Sequence, residues 1–441
     1  MLRGKNLKAV LVVGGGIAGI QASLDLANRG FKVYLVEKSP SIGGHMAQLD
    51  KTFPVIHCSM CILAPKMIEC LHHHNIKLLT YSELVKVEGT AGNFTVKILQ
   101  KPRFVDLEKC TGCGECIEKC PVKVPSEFEV GMVMRKAIYM PFQQAVPRVP
   151  IIDKENCLHF QKGVCRVCEK VCPVGAINFN DKAKEITLKV SSIILATGLE
   201  LYNPSPISEY GYERFKNVLL SLQFERLVNA SGLTQGKILK LSDGKPPRRI
   251  IFIQCVGSRS QREGYPYCSS VCCMYATVEA IMVKEHDPNC EVYILYMDLR
   301  VFGKGFQEFV SRAENQWGVK YVNGRAAAVI KDPNTKNLKV RYENIKEGKI
   351  EELDADLVVL CPALTPREDN KRLAEIIGLE LDDYGFFKTK GSFSKSVDTN
   401  VEGVFVCGCC QEPKDISESV VQASAAADRA AEVIAKIERG V

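Results

Sequence analysis

From residue 8 to residue 37 the chain runs KAVLVVGGGIAGIQASLDLANRGFKVYLVE. An unbroken apolar stretch gives way to glycines, then to apolar positions at helical spacing, then to the short apolar run of KVYLVE. Continuous apolar runs suit strands covered on both faces, and a spacing of three and four suits a helix laid on a sheet. The pattern predicts strand, glycine turn, helix and strand, the opening unit of a doubly wound α/β fold. The same grammar returns after residue 248: RRIIFIQCVGSRS reads as strand and turn, PYCSSVCCMYATVEAIMVKEH as helix, and EVYILYMDLR as a second strand. SSIILATG at 191–198 is a short buried strand. The charged, turn-rich segment 332–349 reads as a surface hairpin.

The first glycine turn carries chemistry. Gly14, Gly16 and Gly19 spell G-x-G-x-x-G directly after a strand, and Glu37 closes the next strand about 20 residues on. Gly14 permits the tight turn, Gly16 lets the backbone approach a pyrophosphate at the helix N-terminus, and Gly19 allows helix and strand to pack closely. Glu37 is expected to hold the adenosine ribose, with Lys38 beside it. Gly43 and Gly44 resemble the loop that follows the ribose-binding acid in two-dinucleotide-binding-domain flavoproteins, which selects FAD over NAD. Ala196, Thr197 and Gly198 resemble the turn at which such flavoproteins cross between domains. The segment from Thr399 resembles their terminal flavin motif: a strand ends near Gly408, and a helix starting near Ile416 and Ser417 points its positive end at the flavin pyrimidine. The usual Gly-Asp of that motif is replaced by Gly408-Cys409-Cys410. The second unit lacks G-x-G-x-x-G and carries Cys255 at its turn, so no nicotinamide site is expected there.

Composition adds one anomaly. Among 441 residues, 46% hydrophobic and 25% charged, there are 20 cysteines, several times structural need. The N-terminus shows no signal-peptide pattern and no apolar run reaches the ~18–20 residues of a membrane span, so a cytoplasmic chain is expected. In a reducing compartment closely spaced cysteines favour metal over disulfides, and thiolates on iron are expected. The formal charge of +7 counts each cysteine as neutral. Clusters on four thiolates cancel much of it, and the scattered Lys and Arg argue against nucleic acid.

Residues 101–182 contain CTGCGECIEKCP and CLHFQKGVCRVCEKVCP. Cys110, Cys113, Cys116 and Cys120 follow C-x2-C-x2-C-x3-C-P, the run of bacterial two-cluster ferredoxins, in which the fourth cysteine serves the other cluster. Cys110, Cys113 and Cys116 are therefore expected to share a 4Fe-4S cluster with Cys172, and Cys157, Cys165 and Cys168 to share one with Cys120. Seven residues between Cys157 and Cys165 lengthen the second run. Cys255, Cys268, Cys272 and Cys273 form a further group, and spacing alone leaves a third cluster and buried packing thiols equally open.

The order of FAD fingerprint, CSMCILAPKM, ferredoxin insert, FIQCVGSR, YCSSVCCMYA, YMDLRVFGKGFQEF and QASAAADRAA resembles the A-type subunit family of heterodisulfide reductases over nearly the whole chain. The resemblance implies a thioredoxin-reductase-like pair of Rossmann-type domains with an inserted two-cluster ferredoxin domain. It makes Cys255, Cys268, Cys272 and Cys273 ligands of a third 4Fe-4S cluster. It implies electron transfer between FAD and clusters, by flavin-based bifurcation in methanogen members. The implied partners are subunits of the B and C types, hydrogenase or formate dehydrogenase modules, ferredoxin and a second copy of the chain. Longer members carry a domain before the FAD strand and a ferredoxin module beyond the position of residue 441, modules that separate subunits could supply here. The rival readings are a non-catalytic electron relay and an NAD(P)H-dependent ferredoxin or disulfide reductase.

The expected domains are 1–100 (FAD, first part), 101–182 (ferredoxin), 183–245 (FAD continuation and crossover), 246–350 (second Rossmann-like domain) and 351–441 (FAD, last part). Cys58 and Cys61 make a C-x-x-C open to a redox-active role or to ligation of another cluster, and with Cys70 they are left outside the ligand set, a structural or partner-completed role being favoured. Cys407, Cys409 and Cys410 are also left out, read as small, buried packing beside the flavin motif. His72, His73 and His74 read as a solvated helix end, and Lys304 as an exposed loop lysine.

Overall fold

A computed structural model describes residues 9–333, 337–391 and 393–439. The chain divides into two compact units, residues 1–47, 61–199 and 366–441 in one and 48–60 and 200–365 in the other.

The first unit is built on a five-stranded parallel sheet in the order Val404–Val406, Ser192–Leu195, Ala9–Val13, Lys32–Glu37, Ile76–Thr80. Its central strand AVLVV is buried at every position, as a strand covered on both faces must be. The helix Ile17–Asn28 buries Ala18, Gly19, Ile20, Ala22 and Leu24, and small residues let it lie close on the sheet. A three-stranded antiparallel sheet, Lys184–Val190, Phe94–Gln100 and Ser82–Glu88, completes the core. Between its strands lies the ferredoxin insert, with short hairpins and three helices of four or five residues. Arg103 anchors it: the buried guanidinium donates to Val149 O, Pro40 O and Thr80 Oγ1. The chain closes on the helix Ile416–Arg439. No helix among the described residues is long and apolar enough to cross a membrane.

The second unit carries a seven-stranded sheet ordered Val218–Leu220, Leu357–Pro362, Arg249–Val256, Glu291–Tyr296, Lys320–Lys331, Leu338–Asn344, Lys349–Ala355. The first five strands are parallel and the last two return antiparallel. The segment 332–349 contributes the sheet strand Leu338–Asn344, paired antiparallel with Lys320–Lys331 and with Lys349–Ala355, in place of a self-contained surface hairpin; residues 334–336 lie outside the described residues. The helix Cys272–His286 is buried over most of its length. The expected crossover segment 183–245 divides between the units after Leu199.

Candidate flavin and iron-sulfur sites

In the first unit three neighbouring parallel strands end at Val13, Leu195 and Val406, and the fingerprint turn lies across their carboxyl ends, where parallel sheets place ligands. Gly14 has φ +108, and a Cβ there meets Ala196 O at 2.2 Å. A Cβ on Gly19 falls 1.8 Å from Gly14 O. Both glycines are fixed by protein packing. Gly16 differs: the nearest atom to its added Cβ is Gly44 Cα, at 3.9 Å. Nothing in the chain demands glycine there, so the space beside it is free for a phosphate. Gly44, at φ +58, faces it, and Gly43 N–H donates to Gly15 O at 2.7 Å, tying the two loops together.

Glu37 Oε2 accepts from Gly15 N–H at 2.6 Å, while Oε1 accepts from the N–H and hydroxyl of Ser39 at 2.7 Å each. The carboxylate is thus fixed at the end of its strand, beside the glycine turn. Lys38 turns away into an exposed ion pair with Asp369 at 2.9 Å. Ala196 is buried, its N–H donating to Val13 O, and Gly198 has φ +78. Thr197 Oγ1 is buried without a hydrogen-bond partner, an orphaned polar atom in the cradle. Gly408, at φ +74, lies over the first helix, where a Cβ would meet Ala18 Cβ at 2.9 Å. Its N–H donates to Gln422. Asp415 caps the last helix: Asp415 Oδ1 accepts from Glu418 N–H and Glu418 Oε2 from Asp415 N–H, leaving the first turn at Ile416 and Ser417. The open space at Gly16, the held carboxylate and the orphaned hydroxyl fit a dinucleotide such as FAD.

In the insert, Cys110, Cys113, Cys116 and Cys172 line one recess, joined by Val105, Pro150 and Ile177. Gly112 N–H donates to Cys110 Sγ at 3.4 Å and Ala176 N–H to Cys172 Sγ at 3.3 Å. Burial first, then the neighbouring sulfurs, push the Cys116 thiol up to about 11. Cys168 is pushed up to about 12 by burial, with Cys157, Cys116 and Cys120 adding to it. Crowded sulfurs that resist ionisation as free thiols are what iron relieves, because a coordinating thiol is deprotonated outright. Cys165, at φ +76, stands at the end of the lengthened loop. Among the described residues no group of three or more His, Cys, Asp or Glu closes on a single metal ion. A four-iron cube instead takes each thiolate on a separate iron.

In the second unit Cys255 and Cys268 come to the start of the helix that carries Cys272 and Cys273. Cys255, held at φ +58, and Cys268 each raise both Cys272 and Cys273 electrostatically, after burial, which places Cys272 well above its usual range and Cys273 at about 11. Ser270 N–H donates to Cys268 Sγ at 3.3 Å, and Arg259, ion-paired with Asp298, lies against Cys255. No local pattern pointed to Arg259, whose loop is folded back by Tyr265 and Tyr267. At the turn after Arg249–Val256 the space beside Gly257 is filled, since a Cβ there meets the Tyr202 ring at 2.4 Å. The approach left open at Gly16 is closed here.

Cys58 and Cys61, left outside the ligand sets, are disulfide-bonded. Cys70 is buried and pushed up to about 12 by that burial. Cys407 and Cys410 are buried and half-exposed Cys409 lies against Lys414 O. His72 and His74 are exposed, and His73 reaches Asn28 at 3.2 Å.

Residues 9–54 match the family described as FAD dependent oxidoreductase, residues 271–429 that of pyridine nucleotide-disulphide oxidoreductases, and residues 103–126 the 4Fe-4S binding domain. The chain is 52% identical over 420 residues to the A-type iron-sulfur subunit of the CoB–CoM heterodisulfide reductase of Methanocaldococcus jannaschii, covering 95% of this chain and 63% of that protein. It is 50% identical over 421 residues to the A-type subunit of the H(2):CoB-CoM heterodisulfide,ferredoxin reductase of Methanothermobacter marburgensis, covering 96% and 63%. It thus spans less than two thirds of the length of these relatives. Among solved structures, the thioredoxin reductase of T. acidophilum aligns with a TM-score of 0.53 at 14% identity, over 98% of this chain and 99% of that one. The enzyme from Lactococcus lactis gives 0.52 at 15%, over 97% and 99%. The fold is therefore thioredoxin-reductase-like, with a 4Fe-4S domain inserted.

Proposed function

Because the chain belongs to the A-type subunit family of heterodisulfide reductases across the segment it shares with these relatives, we propose that it is the FAD and iron-sulfur subunit of a heterodisulfide-reductase-like complex. The observation that carries this reading is that one chain holds an open glycine cradle, a recess lined by Cys110, Cys113, Cys116 and Cys172, and a further group in which Cys255, Cys268 and Cys273 act on Cys272. FAD, when bound, exchanges electrons in pairs or singly, whereas each 4Fe-4S cluster exchanges them singly. The residues supply position and electrostatics. Gly14, Gly16, Gly43 and Gly44 shape the phosphate channel, Glu37 orients the ribose, and the capped N-terminus at Ile416 and Ser417 offers its positive end to the flavin. Cys110, Cys113, Cys116 and Cys172 hold one cluster, Cys157, Cys165, Cys168 and Cys120 a second, and Cys255, Cys268, Cys272 and Cys273 a third.

The finer reading is flavin-based bifurcation in a cytoplasmic assembly. Its partners are B- and C-type subunits, a hydrogenase or formate dehydrogenase module, ferredoxin and a second copy of this chain. The names of relatives that include ferredoxin, H(2) and formate support the ferredoxin, hydrogenase and formate dehydrogenase links. The filled turn at Gly257 speaks against the rival NAD(P)H-dependent reductase.

Anaerobic reconstitution tests the proposal. One FAD and three 4Fe-4S clusters per chain are expected, with no bleaching of the flavin by NADH alone. Iron for only two clusters removes the Cys255 group. Rapid bleaching by NADH overturns the reading in favour of the rival.

A further inference from the structure

The second unit hides two carboxyl groups that the cofactor sites do not use. Glu225, on the helix Ser221–Val228, is 3% exposed, and Glu279, on Cys272–His286, is 0% exposed. Glu225 Oε2 accepts from Asp50 N–H at 2.7 Å. Neither oxygen of Glu279 has a donor, and the polar group beside it is the Glu225 carboxyl itself. Two carboxylates sharing a dry site cannot both ionise, so the pair retains a proton between its oxygens. Burial pushes Glu279 well above the carboxylate range, with the Glu225 charge adding to it, and pushes Glu225 up to about 7.

The pair is tied to the redox chemistry by its helix. Cys272, Tyr275 and Glu279 follow one another at three and four residues, one stripe along the same face. Glu279 therefore lies ~10 Å along the axis from Cys272. Between them the Tyr275 hydroxyl is shielded from solvent and has no hydrogen-bond partner. The other charged or titratable groups facing the pair are Arg226 beside Glu225, Cys361 from the strand Leu357–Pro362, and Asp50, itself influenced by Lys51 and His286. Arg226 exerts the weakest of the influences on Glu225. Asp50 is half-buried and accepts from the Asn229 amide at 2.9 Å.

We infer that the Glu225–Glu279 pair raises its proton occupancy, drawing on solvent, when the centre held by Cys272 gains one electron, and lowers it again when the electron leaves. The only bond made or broken is a carboxyl O–H, and with tenfold coupling the uptake reaches at most about half a proton per electron, offsetting part of the added charge. At ~10 Å and an effective dielectric of ~20, one electron changes proton affinity roughly tenfold, enough to shift a group that titrates near neutrality. The inference rests on the reading of Cys255, Cys268, Cys272 and Cys273 as a cluster site.

The test is a redox titration of the reconstituted chain, with dithionite as one-electron reductant and paramagnetic resonance as readout, at pH values on both sides of 7. The midpoint of that centre is expected to fall by about 59 mV in all as pH rises through the titration of the pair, the equivalent of tenfold coupling. Glu279→Gln, whose amide can donate to Glu225, and Glu225→Gln should each leave a flat midpoint. Reduced-minus-oxidised infrared spectra of the unaltered chain should show a protonated-carboxyl band that shifts in heavy water, so the test does not depend on either variant folding. Three clusters with a flat midpoint in the unaltered chain, or a slope that persists in both variants, overturns the inference and leaves the cluster reading standing. Iron for two clusters and no third resonance signal overturns both.

Discussion

Glu37 Oε2 lies 2.6 Å from the backbone nitrogen of Gly15, so the carboxylate closing one strand braces the glycine turn that follows another. The ribose-binding acid and the phosphate-binding loop therefore form one hydrogen-bonded piece, with Ser39 holding the other carboxylate oxygen. Replacing Glu37 by Gln removes the charge from these contacts. Flavin affinity is expected to drop by roughly 10- to 100-fold, in line with the ~1.5–3 kcal/mol of hydrogen bonds to charged groups. Equilibrium dialysis of FAD checks it.

Gly16 and Gly19 should respond differently. The Cβ of Gly16→Ala would meet no protein atom closer than 3.9 Å, so Gly16→Ala should fold, and Gly16→Val, whose branched side chain takes the pyrophosphate's space, should lose stoichiometric FAD. Gly19→Ala drives a methyl to within 1.8 Å of Gly14 O and is expected to cost roughly 1–3 kcal/mol or more. Thermal melts and bound-flavin absorbance of these variants separate cofactor loss from unfolding.

The ligand sets of the insert make a pairing prediction. Cys172→Ser should alter the same paramagnetic signal as Cys113→Ser, because both side chains line one recess. Cys120→Ser should alter the signal changed by Cys165→Ser. Identical effects of Cys120→Ser and Cys113→Ser would contradict the crossed assignment.

Cys273→Ser separates a third cluster from packing. As a ligand change it lowers iron by one cluster and leaves FAD in place. As a core change the near-isosteric hydroxyl adds only ~1–3 kcal/mol of polar burial, and iron is unchanged. Iron analysis distinguishes the two directly.

Glu225 gives a stability prediction with a defined sign. Its carboxyl rises from an ordinary 4.5 to about 7, so the unfolded chain loses this proton first as pH rises. Its contribution is fully present below about 4.5 and is lost as pH climbs to about 7, amounting to about 3 kcal/mol over that window. Glu225→Gln should remove this slope, so that the variant gains on the unaltered chain as pH rises. Denaturant melts of both chains at several pH values read the difference.

The flavin turn and the ferredoxin runs were legible because their chemistry is local. Gly14, Gly16 and Gly19 are set by one strand-to-helix turn, and three ligands of each insert cluster sit within a dozen residues. The open space beside Gly16 was readable in the same way, since it needs only a missing side chain at a fixed position of the turn. Lys38 was legible only as a neighbour of Glu37, because nothing local announces its ion pair with Asp369.

What tertiary structure decided is which distant groups meet. The sequence carries Cys255 and Cys272 on a strand turn and a helix, but only the packing of that helix beside Arg249–Val256 turns the sulfurs toward one another. Glu279 stands among Val278, Ala280 and Ile281 in a run that spacing reads simply as buried helix. Its partner Glu225 lies on another helix, and Asp50 arrives from a segment of residues 48–60 that leaves the flavin unit altogether. Periodicity fixes which face of an element is buried, because it follows from the geometry of a single helix or strand. The neighbour opposite that face depends on chain crossings, and those exist only once the whole unit has packed.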